Sequence, residues 1–264
     1  MPVPYTSKLE KACHRSGWSL VQPLLSSSYT GFGHGSLRRD TSELDELFAY
    51  LRQHRNAEKF CIVGHSTGCQ NAVHYLKHAS DGDSASKVVA VALQSPVSDR
   101  EHAMMDGSYV ANLDIARKLK SEGREDECMP RSAFWAPITA SRYLDLHERG
   151  GADDFFSSDF SDDELADRLK HVSEGAAGRR RRVVVAFSGS DEYVPSSVDS
   201  RQLTNRLVRA LNAGREGGDE GGRNAVAEPL YLPAANHNLS NDEQSLDEFV
   251  GAVEKLLSKS VDCS

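Results

Sequence analysis

Short apolar runs rich in β-branched residues recur along the chain, and most are followed by a stretch whose apolar positions repeat every three or four residues. Trp18–Gln22 (WSLVQ), Phe60–Val63 (FCIV), Val88–Leu93 (VVAVAL), Arg182–Phe187 (RVVVAF) and Leu230–Leu232 (LYL) predict five strands. Between the first two, Leu44, Leu47, Phe48 and Leu51 share one helical face, and Asp40 with Glu43 three residues on reads as the start of that helix. At the other end Leu246, Phe249, Val250, Val253 and Leu256 line a final helix, with Ser240 as its expected cap and Glu243 completing a capping box. Most of these strands are continuously apolar instead of alternating, which predicts a mostly parallel sheet covered by helices on both faces.

The interval from Asp99 to Arg181 is far longer than an ordinary crossover. It holds several helical patterns and many aromatic and methionine side chains, among them Met104, Met105, Phe134, Trp135 and Phe160. Ligands of α/β sheets bind at the C-terminal edge of the strands, so residues 99–181 are expected to form a helical lid over that edge. The remainder reads as a single domain spanning 1–264, with two surface loops at 174–182 and 212–228. The four arginines that end the first loop are expected to be solvated.

Composition narrows the classes. A chain of 264 residues suits one α/β domain, and 39% hydrophobic with 27% charged residues marks it as globular. A net charge of −8 argues against a general nucleic-acid or anionic-membrane binder. No stretch approaches the roughly 20 apolar residues of a membrane span, and residues 1–18 show no secretory pattern. Five cysteines (13, 61, 69, 128 and 263) without CxxC spacing point to a reduced, cytoplasmic protein.

The chemistry concentrates in Gly64-His65-Ser66-Thr67-Gly68. Gly-x-Ser-x-Gly between a strand and a helix predicts a nucleophile elbow: the sharp turn lifts the Ser66 hydroxyl clear of the sheet, and Gly64 and Gly68 leave it room. The Thr67 amide, at the helix N-terminus, is then an oxyanion donor. Serine needs a base, and the base an orienting acid. Asp191 follows the fourth strand and His237 the fifth, both on the edge that bears Ser66, in the order Ser, Asp, His. Asp99, after the third strand, is a rival acid, but Ser98 with Glu101 reads as a capping box that accounts for it. Glu192 is expected to point away from the base.

Other candidates read as structural. His74 and His78 share a helix face but lack a third metal ligand, so they are expected to be a solvated pair. His65 is expected to line the site without acting as base. Cys69 is either a thiol activated by the helix dipole or, the preferred reading, a small buried filler. In 153–165, Ser161 with Glu164 predicts a capping box, and the aspartates a solvated helix start or, less readily, a cation-binding rim.

The blocks SSSYTGFG (26–33), GHSTGCQ (64–70), LQSPVSDRE (93–101), MPRSAFWAPITASRY (129–143), FSSDFSDDEL (156–165) and SGSDEYVP (188–195) resemble the DUF1749 family of α/β-hydrolases. That family spans fungi, plants, algae and protists, and its fungal branch includes siderophore ester hydrolases. The resemblance implies an α/β-hydrolase fold, a Ser66–Asp191–His237 triad and intracellular carboxylic-ester hydrolysis. It also implies that VPYTSKLEKA (3–12) is the helix after the third core strand, so that the N-terminal strands and a second oxyanion amide are absent from the sequence as written. The expectation is therefore a cytosolic serine hydrolase acting through an acyl-enzyme on a small-molecule ester, with no metal or cofactor and no nucleic-acid or membrane partner. A weakly active ligand-binding protein on the same scaffold and an acyltransferase are the alternatives.

Overall fold

A computed structural model of the chain describes residues 3–175, 180–213 and 226–261. The centres of both expected surface loops, and Cys263, lie outside the described residues. In chain order the elements are α1 (Thr6–Arg15), α2 (Leu37–Arg55), β1 (Phe60–His65), α3 (Thr67–His78), α4 (Gly82–Ser86), β2 (Val88–Gln94), α5 (Asp99–Ala103), α6 (Tyr109–Ser121), α7 (Ala140–His147), α8 (Asp162–Leu169), β3 (Arg182–Ser188), α9 (Ser200–Leu211), β4 (Ala227–Leu232) and α10 (Glu243–Val261).

Among the described residues the sheet has four strands in the order β1-β2-β3-β4, all parallel. Its side chains divide by parity. Val91, Leu93, Val183, Val185 and Phe187 face one side, where Phe48 of α2, Val73 and Tyr75 of α3, Leu165 and Leu169 of α8 and Leu203, Leu207 and Leu211 of α9 close the larger core. Ala90, Ala92, Val184 and Ala186 face the other, against Tyr5, Leu9 and Ala12 at and within α1 and Phe249, Val250 and Val253 of α10. Alanines on this second face leave room for α1 and α10 to lie close to the sheet. The Tyr5 and Phe249 rings meet edge to face with centroids 5.0 Å apart, and Lys8 and Arg15 of α1 reach Asp247 and Glu254 of α10 at 2.6 and 2.7 Å.

The expected strand at Trp18–Gln22 does not form. Its in-out pattern is present, with Trp18 and Leu20 half-buried against the second core and Ser19 and Val21 exposed. Among the described residues, however, β1 pairs only with β2, and no strand lies beside 18–22 to supply a ladder. Alternation without a partner gives an extended segment, not a strand.

Helix starts also move. α2 begins at Ser36, whose hydroxyl accepts from the Arg39 amide at 3.2 Å; Asp40 instead turns inward to accept from Ser27 Oγ at 2.8 Å. Asp242, not Ser240, caps α10 by accepting from the Ser245 amide at 3.2 Å. β4 starts at Ala227, three residues earlier than expected; Pro229 is tolerated because β4 is an edge strand. The capping box of Ser161 and Glu164 forms.

The 99–181 segment carries α5 to α8. Within it Leu113 and Ala116 of α6, Met129, Ile138 and Tyr143, Leu144 and Leu146 of α7 make a small core of their own. The aspartates at 153 and 154 are buried, not solvated: Asp153 pairs with Arg142 at 2.6 Å and Asp154 with Arg100 at 3.1 Å. Of the arginine run, residues 180–182 are described, and they do not form a solvated patch. Arg181 is buried and donates to the carbonyls of Val88 (2.9 Å), Ala85 (3.1 Å) and Glu174, while Arg182 opens β3. A guanidinium offers five donors in one plane, which suits it to gathering carbonyls at the end of a sheet.

Candidate active site

β1 ends in the turn that carries Ser66. This residue has φ 53° and ψ −124°, a backbone region that side chains other than hydrogen seldom occupy. The strain is held by two main-chain bonds: Ser66 N–H donates to the Gln94 carbonyl at 3.0 Å, and Cys69 N–H donates to the Ser66 carbonyl at 2.7 Å. Gly64 is sterically required, since a Cβ there would stand 2.5 Å from the Gly68 carbonyl oxygen. Gly68 is not: a Cβ at that position meets nothing within 4 Å. Thr67 is the first residue of α3, so its amide belongs to the helix turn that has no internal acceptor.

The loop after β3 brings Asp191 to the same edge, and the loop after β4 brings His237. Both carboxylate oxygens of Asp191 lie 2.9 Å from His237 Nδ1, and the Asp191 side chain is fully buried. Asp191 also accepts from the Tyr193 amide at 3.0 Å. Glu192 does point away from the imidazole, but to a use the sequence did not signal: it accepts from the His237 backbone amide at 3.0 Å and so ties the base's loop to the acid's loop. The Ser66 hydroxyl makes no hydrogen bond among the described residues; catalytic contacts of this kind are commonly loose until substrate is bound.

Rings flank the base. The His65 and Tyr193 centroids lie 4.9 and 4.4 Å from that of His237, and the His102 ring of α5 lies 4.7 Å from that of Tyr193, tilted at 47°. His65 lines the site as expected. Burial, then the neighbouring His237, push its pKa down to about 4, so the ring is neutral.

Asp99 does not reach the base. Its carboxylate accepts from Gln70 Nε2 at 2.9 Å, and burial, followed by the nearby Asp153, pushes its pKa up to about 7. Ser98 caps α5 through the Glu101 amide at 3.1 Å, but the Glu101 carboxylate goes to the Ser158 amide at 3.0 Å and leaves the box half made. Cys69 is buried, its Sγ directed at the Gly64 and Gln94 carbonyls (3.4 and 3.3 Å), and burial raises its pKa; desolvation outweighs the helix dipole. His74 is half-buried and hydrogen-bonded to Thr41 at 2.7 Å, which corrects the expected solvated pair; His78 alone is exposed. Among the described residues no group of three His, Cys, Asp or Glu side chains could hold a metal, and no helix is long and apolar enough to cross a membrane.

Comparison with known proteins agrees with this fold. The family described as "Protein of unknown function (DUF1749)" matches residues 1–258. A UPF0613 protein of Schizosaccharomyces pombe is 32% identical over 255 residues, covering 90% of this chain and 77% of its own. The fusarinine C esterase of Aspergillus fumigatus is 30% identical over 290 residues, covering 91% and 80%. Among solved structures, the siderophore hydrolase EstB from Aspergillus fumigatus superposes with a TM-score of 0.76 at 28% identity, covering all of this chain and 87% of that one. An α/β-hydrolase fold protein of unknown function, at 18% identity and a TM-score of 0.63, shares the fold.

Proposed function

This chain belongs to the DUF1749 family and is a carboxylic-ester hydrolase of the α/β-hydrolase fold, and from that premise we propose that Ser66, His237 and Asp191 form its catalytic triad and that the reaction passes through an acyl-enzyme. The observation that carries the proposal is the doubly accepted Nδ1–H of His237 at the sheet edge that also bears the strained Ser66 turn. Asp191 fixes the proton on Nδ1 and leaves Nε2 as the base. The base takes the Ser66 proton as Oγ attacks the ester carbonyl, and the Thr67 amide meets the developing oxyanion. Collapse returns that proton to the leaving alcohol. Water, activated by the same imidazole, then cleaves the acyl-serine and frees the acid.

The segment 99–181 serves as the lid of this single domain. Support comes from α5, whose His102 ring packs against Tyr193 beside the base. The substrate is a small-molecule ester, and the free thiols of Cys13, Cys61, Cys69 and Cys128 suit a cytoplasmic setting.

Turnover of p-nitrophenyl acetate by the wild type, Ser66→Ala and His237→Ala tests the proposal. Loss of at least about 10³ in kcat is expected for each. Either variant turning over at the wild-type rate contradicts it.

A further inference from the structure

We propose that Gln94 is the positioning residue of this site: its one buried amide sets the spacing between the nucleophile turn, the loop of His237 and the ring of His65. The inference rests on the triad reading above.

Gln94 is the last residue of β2, the strand between the one that presents Ser66 and the one that presents Asp191. Its main chain is paired with His65 on one side and Ala186 on the other, and its carbonyl holds Ser66 N–H. The side chain is fully buried. Nε2 donates to the His237 carbonyl at 2.9 Å and to Ser95 Oγ at 2.8 Å. Oε1 accepts from Tyr5 Oη at 3.2 Å and from His65 Nδ1. A primary amide has two donors and two acceptor sites, and all four are used.

The network fixes protons as well as positions. The His237 carbonyl can only accept, so the amide nitrogen must face it and the amide oxygen must face His65. His65 is then obliged to carry a proton on Nδ1, and in the neutral ring Nε2 is bare. This matters because His65 lies 4.9 Å from the ring that becomes a cation during acylation. A charged His65 would oppose that step. The pKa of about 4 agrees with the geometry. Ser95 supports the same carbonyl: it holds φ 50°, and its Oγ donates to the His237 carbonyl at 2.9 Å. The base's loop therefore hangs from two adjacent residues at the end of β2.

No other buried polar group among the described residues joins the nucleophile turn to the base's loop in this way. An amide confined to packing would need partners, but not partners drawn from both halves of the catalytic apparatus.

The test uses the full chain with p-nitrophenyl acetate and the variants Gln94→Met, Gln94→Glu and Ser95→Ala. The expected result for Gln94→Met is a fall in kcat of roughly 100-fold with KM changed by less than about 3-fold, because misplacement of a catalytic group by about an ångström acts on the chemical step. Ser95→Ala keeps the amide and loses one bond to the loop; its expected fall is roughly 5-fold. In Gln94→Glu the carboxylate beside His65 should raise the His65 titration, followed by NMR, at least about tenfold in proton affinity above its wild-type midpoint near 4. That titration tests the contact between residue 94 and His65, and a loss confined to kcat in Gln94→Met is the result a purely structural role would not give. Should Gln94→Met fail to fold, Ser95→Ala and the His65 titration decide the matter. A folded Gln94→Met or a Ser95→Ala within twofold of the wild-type kcat, or an unmoved His65 titration, overturns the inference. Ser66→Ala measured alongside separates two failures: a fast Ser66→Ala overturns the triad, whereas a slow Ser66→Ala beside a fast Gln94→Met overturns only the role of Gln94.

Discussion

Asp191 meets His237 Nδ1 with both carboxylate oxygens at 2.9 Å, whereas Asp99, the other acid at this sheet edge, bonds to Gln70 instead. The two carboxylates can therefore be told apart by function. Asp191→Asn should lower kcat about 10³- to 10⁴-fold by freeing the wrong tautomer of His237. Asp99→Asn should stay within about tenfold of the wild type, since it touches neither the base nor Ser66. Steady-state kinetics of both variants on one ester check the assignment.

Asp99 makes a second prediction through pH. Its folded pKa of about 7 lies well above the roughly 3.9 of an unfolded aspartate. Between those values the folded chain keeps a proton that the unfolded chain has lost, so the contribution of Asp99 to stability falls as pH rises from about 4 to about 7. Asp99→Asn removes the effect. Its stability relative to the wild type should widen across that window, by at most about 1.4 kcal/mol per pH unit, and level off above it. Urea denaturation at several pH values measures the gap. Solvent contact at this half-buried side chain lowers the upper end of the window and not the slope within it.

The two glycines of the elbow should behave differently. Gly64→Ala drives a methyl group to 2.5 Å from the Gly68 carbonyl and should cost both folding and activity. Gly68→Ala meets open space on the first turn of α3 and should hold or raise the melting temperature, with a gain of up to about 1 kcal/mol. Thermal unfolding of the pair distinguishes a steric requirement from a motif position.

Arg142 and Asp153 form a buried pair at 2.6 Å. Arg142→Met leaves the Asp153 carboxylate buried without its cation and should lower unfolding free energy by about 3–5 kcal/mol. Adding Asp153→Asn in the same chain should recover much of that loss. A double-mutant cycle in urea gives the coupling directly.

The parts of the fold legible in the sequence were those where one strong physical signal acts alone. Continuous β-branched runs at 88–93 and 182–187 have no stable home outside a doubly covered sheet, and they are β2 and β3. Ser66, Asp191 and His237 were legible as strand-end residues in one order. Trp18–Gln22 misled because alternation reports which side chains are buried, not whether a neighbour strand exists to pair with. Ser36 and Asp242 were missed as caps because several Ser and Asp residues compete near each helix start, and the local turn geometry chooses among them. Arg181, Asp153 and Asp154 read as solvated because their partners lie far away in sequence: Asp154 is 54 positions from Arg100 and Arg181 is 93 from Val88. Gln94 gave no sign in the sequence and fell just past the expected strand, since its four partners come from the start of α1, β1 and two loops that only the folded sheet gathers.

The central claim is that Ser66 is a nucleophile activated by His237. Labelling with a fluorophosphonate, followed by peptide mass spectrometry, tests it most directly. One adduct is expected, on the peptide that contains Ser66, abolished in Ser66→Ala and slowed at least about 10³-fold in His237→Ala. An adduct on another residue, or labelling that persists unchanged in Ser66→Ala, would contradict it.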